Sequence, residues 1–340
     1  MLKEESKAVR TIRPFARPRL IDPAYTEDEI AGLFAAIRRF GPVRQMLSIY
    51  AEEMAGQLPD ALPDPCFRGE LASEGLCFDP AIEGAFYNSR FLQLARNYRR
   101  ASYALPRQLA FNITAPSLNS DPGHVDAPAF RGLWHVNTPP WLLGVMAQSR
   151  LFEAYAVKMV QITGWLWRGR YGGFTYWPDG PESDPCRVSA PTWNRAILAE
   201  NQYMFHRAES LLPPGASTGL AGMEYHSKLH ADPDDDDGWI ISTGENVIAR
   251  HATGELRFMI HWSCIVFDDK AEVTKYFDHE DDLNVEKVIA IFQDDLAKKG
   301  FDPATSSDPL EDPRFRDQLH QAYAVGGPMR YPPEAPWTVG

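Results

Sequence analysis

The sequence predicts a mainly β architecture, an antiparallel sandwich or barrel, with helices packed around it. Three observations point there. Short β-favouring runs with turn residues between them fill the stretch from about Arg107 to Asp269. Helical spacing dominates the segments on either side. No internal repeat, low-complexity tract or linker interrupts the chain, so its 340 residues read as one domain. On this reading residues 1–105 are an N-terminal arm and helices, 106–270 the β core, and 271–340 a C-terminal helix and surface tail.

The elements follow in order. An Arg- and Pro-rich arm leads into "YTEDEIAGLFAAIRRFG", where Thr26 and Glu29 form a capping box and Gly41 a stop. "PVRQMLSIYAEEMAGQLP" predicts a second helix opened by Pro42. Pro59 to Pro80 reads as turns, and "SRFLQLARNYRRASYAL" returns to helical spacing. "RQLAFNITA" alternates as a strand and ends in the turn "PSLNSDPG". Thr138-Pro139-Pro140 opens a helix. "KMVQITGWLWRG", "GGFTYWPDG" and "AILAENQYMFH" read as strands. "GWIISTGENVIARH" and "ELRFMIHWSCIVFDD" read as the two strands of a hairpin turning near Thr253-Gly254. "DLNVEKVIAIFQDDLAKKG" carries an apolar helical stripe through Leu283, Val285, Val288, Ile289, Phe292 and Leu296. The Pro- and Asp-rich end is expected to wrap the surface.

Composition narrows the partners. A net charge of −12 argues against a nucleic-acid backbone or an anionic membrane surface. No run reaches the length of a membrane span, and the charged start "MLKEESKAVR" has no apolar region behind it. Cys66, Cys77, Cys186 and Cys264 form no C-x2-C pair, which disfavours a zinc knuckle and fits reduced thiols. The expectation is a soluble cytoplasmic protein acting on a small molecule.

The chemistry rests on a pattern that occurs three times: His124-Val125-Asp126, His230-Ala231-Asp232 and His279-Glu280-Asp281. With 9 histidines and 46 acidic residues, roughly one such pair arises by chance. His279 precedes a helix start, where acidic residues favour the helix dipole. His230 runs into "DPDDDDG", a solvated acidic loop without calcium-loop spacing. Only "DPGHVDAP" follows a strand and a turn. Residues i and i+2 of a strand share a face, so His124 and Asp126 can address one metal ion. A third ligand must come from elsewhere; His206, His251 and His261 each end or sit in a strand.

"GHVDAP", then "RYGGFTYWPDGP", then "AILAENQYMFHRAESLLP" resembles the iron(II)- and 2-oxoglutarate-dependent oxygenase superfamily in motif order. The likeness spans about Arg107 to Asp269. It implies a double-stranded β-helix, or jelly roll, with His124, Asp126 and His206 as ligands. It also implies a basic residue for the tail of the 2-oxo acid, for which Arg257 is favoured over Arg207 and Arg250. In the family that residue follows the distal histidine by about a dozen positions; here Arg257 follows His206 by 51. Two imidazoles and one carboxylate leave positions open on iron(II) for a 2-oxo acid and O₂. The implied reaction is hydroxylation, desaturation or cyclisation at an unactivated C–H bond of an amino-acid-derived or natural-product substrate. A 2-oxoglutarate-independent iron oxidase and a non-catalytic jelly-roll binding protein remain the alternatives. Asn112 and Thr114 alternate on the strand before the motif, where a place in the pocket and a structural role are equally open, and Trp165, Trp167, Tyr176 and Trp177 could line the pocket or fill a core. No phosphate loop and no nucleophile elbow is present.

Overall fold

The computed structural model describes residues 12–46, 48–49, 64–119, 121–213, 215–216, 220–302 and 308–337. Its strands are β1 Arg19–Ile21, β2 Val43–Gln45, β3 Cys66–Ser73, β4 Leu76–Cys77, β5 Tyr103–Thr114, β6 Met159–Leu166 and β7 Phe174–Trp177. They continue as β8 Cys186–Val188, β9 Arg195–Ala199, β10 Phe205–Ala208, β11 Lys228–Ala231, β12 Gly238–Thr243, β13 Asn246–Ala252 and β14 Arg257–Phe267. The helices are α1 Glu27–Arg39, α2 Glu83–Phe86, α3 Ser89–Arg99, α4 Pro140–Ser149, α5 Lys270–Phe277, α6 Val285–Lys298 and α7 Pro313–Tyr323.

Among the described residues the strands form two antiparallel sheets. The large one runs β1-β9-β6-β14-β5-β3-β2-β11-β12-β13, with β4 on β3; the small one runs β10-β7-β8. Between β5 and β6 the chain visits the small sheet, where His124 bridges to His206 on β10. The path therefore alternates: β5 large, His124 small, β6 large, β7 and β8 small, β9 large, β10 small, β14 large. That interleaving is a double-stranded β-helix, flanked by helices.

Strand alternation divides the large sheet into two faces. On β14, Phe258, Ile260 and Trp262 join a core with Phe111 and Ile113 of β5, Leu33 and Ile37 of α1, and Phe91 of α3. Arg257, Met259, His261 and Ser263 face the other way, toward the small sheet. Helix α1 starts where its capping box requires: Thr26 Oγ1 accepts from the Glu29 amide, and the Glu29 carboxylate accepts from the Thr26 amide. A second core joins α4, α6 and α7 through Leu142, Phe292 and Phe315. The fully buried Phe292 ring packs edge-on to Phe152 at 5.0 Å and against Tyr323 at 5.4 Å. Phe292→Ala is expected to cost about 3–5 kcal/mol, read as a lower urea midpoint at unchanged slope.

Several sequence expectations need correction. Val43–Gln45, placed in the second helix, is instead strand β2 between β3 and β11. Val43 and Gln45 are fully buried there, and pairing on both sides outweighs helical propensity. The rest of that expected helix lies mostly outside the described residues. The turn-rich reading of Pro59 to Pro80 missed β3, a strand paired on both sides. Helix α3 ends at Arg100, which adopts the left-handed conformation, and "YAL" already belongs to β5.

"AILAENQYMFH" is two strands, β9 and β10, in different sheets. "GWIISTGENVIARH" is itself a hairpin, β12–β13, turning at Gly244 with φ +58°. Accordingly β14 pairs with β5 and β6 rather than with β13. The expected surface tail includes α7, whose Phe315, Leu319 and Tyr323 are buried in the second core. Beyond it the chain does cross the small-sheet side, with the Met329 amide donating to Pro181 O at 3.2 Å. All four cysteines are free thiols. No helix among the described residues is long and apolar enough to cross a membrane.

Candidate metal centre

His124 arrives through a tight turn. The Asp121 carboxylate accepts from the Gly123 amide at 2.8 Å, and Gly123 adopts φ +112°. A Cβ there would meet Pro328 at 3.0 Å and the Trp177 ring at 3.2 Å, so glycine suits both the backbone and the space. His124 and His206 then exchange two backbone hydrogen bonds, 3.0 and 2.9 Å long. Two residues on, the Asp126 amide donates to Asn201 O at 3.0 Å. The result is that one donor atom from each of His124, Asp126 and His206 converges, all within 4.8 Å of one another. Asp126 Oδ1 lies 3.5 Å from His206 Nε2 and 3.8 Å from His124 Nε2.

The atoms that do not face the centre are occupied. Asp121 Oδ2 lies 2.7 Å from His124 Nδ1, so that nitrogen donates and Nε2 keeps its lone pair for an ion. His206 Nδ1 donates to Met204 O at 2.9 Å, which has the same effect. Gln161 Nε2 donates to Asp126 Oδ2 at 2.6 Å, and its own Oε1 accepts from the Asn201 amide at 2.8 Å. Three donors are thus aimed, each by a partner on its far side. This donor set fits a divalent transition metal with open coordination positions.

Charge follows the geometry. Burial would raise the Asp126 carboxyl, but His206 beside it, helped by His124 and His261, holds it far below the usual carboxylate range. Burial would lower His124, yet its bond to Asp121 raises it instead. His261 is pushed down to about 3, by burial first and then by the Arg68 charge, so its imidazole stays neutral.

The structure places the other sequence candidates as follows. His261 sits on β14 facing the same cleft, with Nε2 at 3.4 Å from Asn112 Nδ2, but outside the ligand cluster. His251 lies on the β12–β13 hairpin, 3.7 Å from Glu255 and away from the cluster. Arg207 is next to His206 but points to the opposite face, under the Tyr331 ring and bonded to Ala335 O. Arg250 pairs with Asp232.

Arg257 opens β14 and lines the cleft. It is 3 % exposed, yet its contacts are neutral: Glu209 O at 3.2 Å and Thr114 Oγ1 at 3.4 Å. The Glu209 carboxylate is already taken by Arg187 and Thr175, and Arg257 Nε has no partner. Burial lowers its pKa, against the opposing influence of Cys66 and Glu209 nearby. The long gap after His206 is filled by β11–β13, which extend the far edge of the large sheet and leave Arg257 at the start of its strand.

A cleft of about 920 Å³ joins these groups between the two sheets. Asn112 and Thr114 line it. Trp165 instead packs with Phe174 and Met259, and Trp177 with Ile12 and Phe205; neither these nor Trp167 and Tyr176 line the cleft. Sequence reasoning missed Asp121, Gln161 and Arg68. Asp121 stood inside the quoted motif, so its spacing of three from His124 was the available signal. Gln161 and Arg68 carried none beyond strand position.

No family model matches the chain, and no curated protein matches it. Among solved structures it is similar to an oxidoreductase of the 2OG-Fe(II) oxygenase family from Burkholderia pseudomallei. That match has 10% identity, covers 74% of this chain and 86% of the other, and has a TM-score of 0.39. A Pseudomonas putida prolyl-4-hydroxylase matches at 10% identity over 75% of this chain and 95% of the other, with a TM-score of 0.34. HygX from Streptomyces hygroscopicus, solved with nickel and 2-oxoglutarate bound, matches at 8% identity over 76% and 84%, with a TM-score of 0.36.

Proposed function

We propose that this chain is a mononuclear non-haem iron(II) oxygenase that uses 2-oxoglutarate and O₂ to oxidise an unactivated C–H bond of a small molecule. One observation carries the reading. A cluster of two imidazoles and one carboxylate shares a cleft with a buried guanidinium that has no carboxylate partner among the described residues. A buried charge needs a counter-ion. A dicarboxylate fits both ends: one carboxylate for the Arg257 fork, and a 2-oxo acid group at the metal.

In this reading His124 Nε2, Asp126 Oδ1 and His206 Nε2 hold the iron. Iron(II) supplies the redox states that activate dioxygen, which zinc lacks. The chain's own residues do the positioning. Asp121, Gln161 and the Met204 carbonyl keep the donors aimed. Arg257 with Thr114 fixes the co-substrate tail. The walls of the cleft hold the substrate C–H bond near the oxidant and limit water. Hydroxylation, desaturation and cyclisation all need this same arrangement.

Anaerobic addition of Fe(II) and 2-oxoglutarate together is expected to give a weak visible charge-transfer band that neither gives alone. Protein that retains no iron, or gives no band, would refute the reading. O₂ consumption of equal rate with and without 2-oxoglutarate would refute the co-substrate while keeping the iron site.

A further inference from the structure

On β3 the residues alternate, with Phe67 and Leu71 in the core and Cys66, Arg68 and Glu70 on the cleft side. Arg68 is half-buried, and among the described residues its hydrogen bond is to a neutral group: Nη1 donates to Asn112 Oδ1 at 3.1 Å. No carboxylate lies within ion-pair distance of it among the described residues. That bond fixes the Asn112 amide, whose Nδ2 then donates to His261 Nε2 at 3.4 Å. His261 is left with Nδ1–H as a donor and no acceptor. Arg68 is therefore held by neutral partners and keeps donors of its fork for a ligand in the cleft.

We infer that Arg68, aligned by Asn112 and backed by His261, is the seat of a substrate carboxylate, and that the substrate is a carboxylic acid with an apolar body. The inference rests on the oxygenase reading only in calling the bound acid a substrate. Arg68 brings one guanidinium, and Arg44, its register partner on β2, lines the same cleft. Glu70, two residues along the same face and bonded to Gln108, would repel a dianion. A planar carboxylate matches the planar guanidinium fork. The apolar body has Met46, Trp134, Met159 and Met259 to pack against in the cleft.

The seat is distinct from that of the co-substrate. Arg68 pairs in register with Asn112 of β5, and Arg257, at the start of β14, pairs with Thr114 two residues further along β5. Gln161, which holds Asp126, lies on β6, about 14 Å from β3 across three strand spacings, and in the row of Gln108, four residues along β5 from Asn112. A head group at Arg68 thus leaves the carbons several bonds away facing the metal centre.

The test uses metal-free protein and a series of ω-phenylalkanoates with their matched primary amides, followed by calorimetry or ligand-observed NMR. At least one acid should bind, its amide at least about tenfold more weakly, and saturating 2-oxoglutarate should not displace it. Arg68→Gln should weaken the acid by about ten- to a hundredfold, Arg68→Lys by less, and Arg257→Met not at all. Unfolding curves of each variant establish that it is folded. Failure of every acid to bind, equal binding of acid and amide, displacement by 2-oxoglutarate, or loss through Arg257 instead of Arg68 overturns the inference. Arg68-dependent acid binding without an iron–2-oxoglutarate band would sink the oxygenase reading and leave the carboxylate seat standing.

Discussion

Asp126→Ala is expected to weaken iron binding by more than about a hundredfold and to abolish turnover. Loss of a partner behind a ligand alone costs about 10- to 100-fold in affinity or activity, and Asp126 supplies the only carboxylate of the cluster. Its removal leaves two neutral imidazoles, no anionic ligand on the ion, and a Gln161 amide that has lost its acceptor. His206→Ala should behave similarly, whereas His251→Ala should leave metal content unchanged because that ring lies away from the cluster. Metal analysis of the purified variants decides. Normal iron content in Asp126→Ala would remove the site from the explanation altogether.

Arg257→Met is expected to separate co-substrate binding from metal binding. Truncating one side of a buried charge pair costs about 2–5 kcal/mol, or roughly thirty- to several-thousandfold in 2-oxoglutarate affinity. Iron content should be retained, since Arg257 lies outside the ligand cluster. The free protein should be as stable as the parent or more so, because a buried charge with no carboxylate partner among the described residues disappears into an apolar side chain of similar length. The two readouts have opposite signs. If Arg257 were only a structural strut between Glu209 O and Thr114, thermal stability would fall and 2-oxoglutarate binding would not change.

What was legible in the sequence follows from where the local signal was strong. The capping box at Thr26 and Glu29, the stripe along α6 and the alternation of "RQLAFNITA" are local patterns, and each appears as an element close to where it was read. The His-x-Asp pair could be ranked because one copy alone followed a strand and a turn, and motif order picked His206 from three histidines. The failures have a common physical source. β3 was read as turns because its cleft-facing residues, Cys66, Arg68 and Glu70, are the polar half of a strand that lines a site. The break between β9 and β10 is set by sheet exchange, and the partners of β14 by long-range pairing. Neither leaves a local mark. Asp121 and Gln161 act only through neighbours that the fold brings to them.

Strand β14 is bonded on both sides, by β5 and by β6, and both of its faces are committed. A slip of one residue would drive Arg257 and His261 into the aromatic core and push Phe258, Ile260 and Trp262 into the cleft. The charge that awaits an anion and the rings that hold the protein together are therefore locked in the same register. Natural variation can reshape the cleft through the loops, but not by sliding this strand, because any such shift would cost the fold before it altered the chemistry.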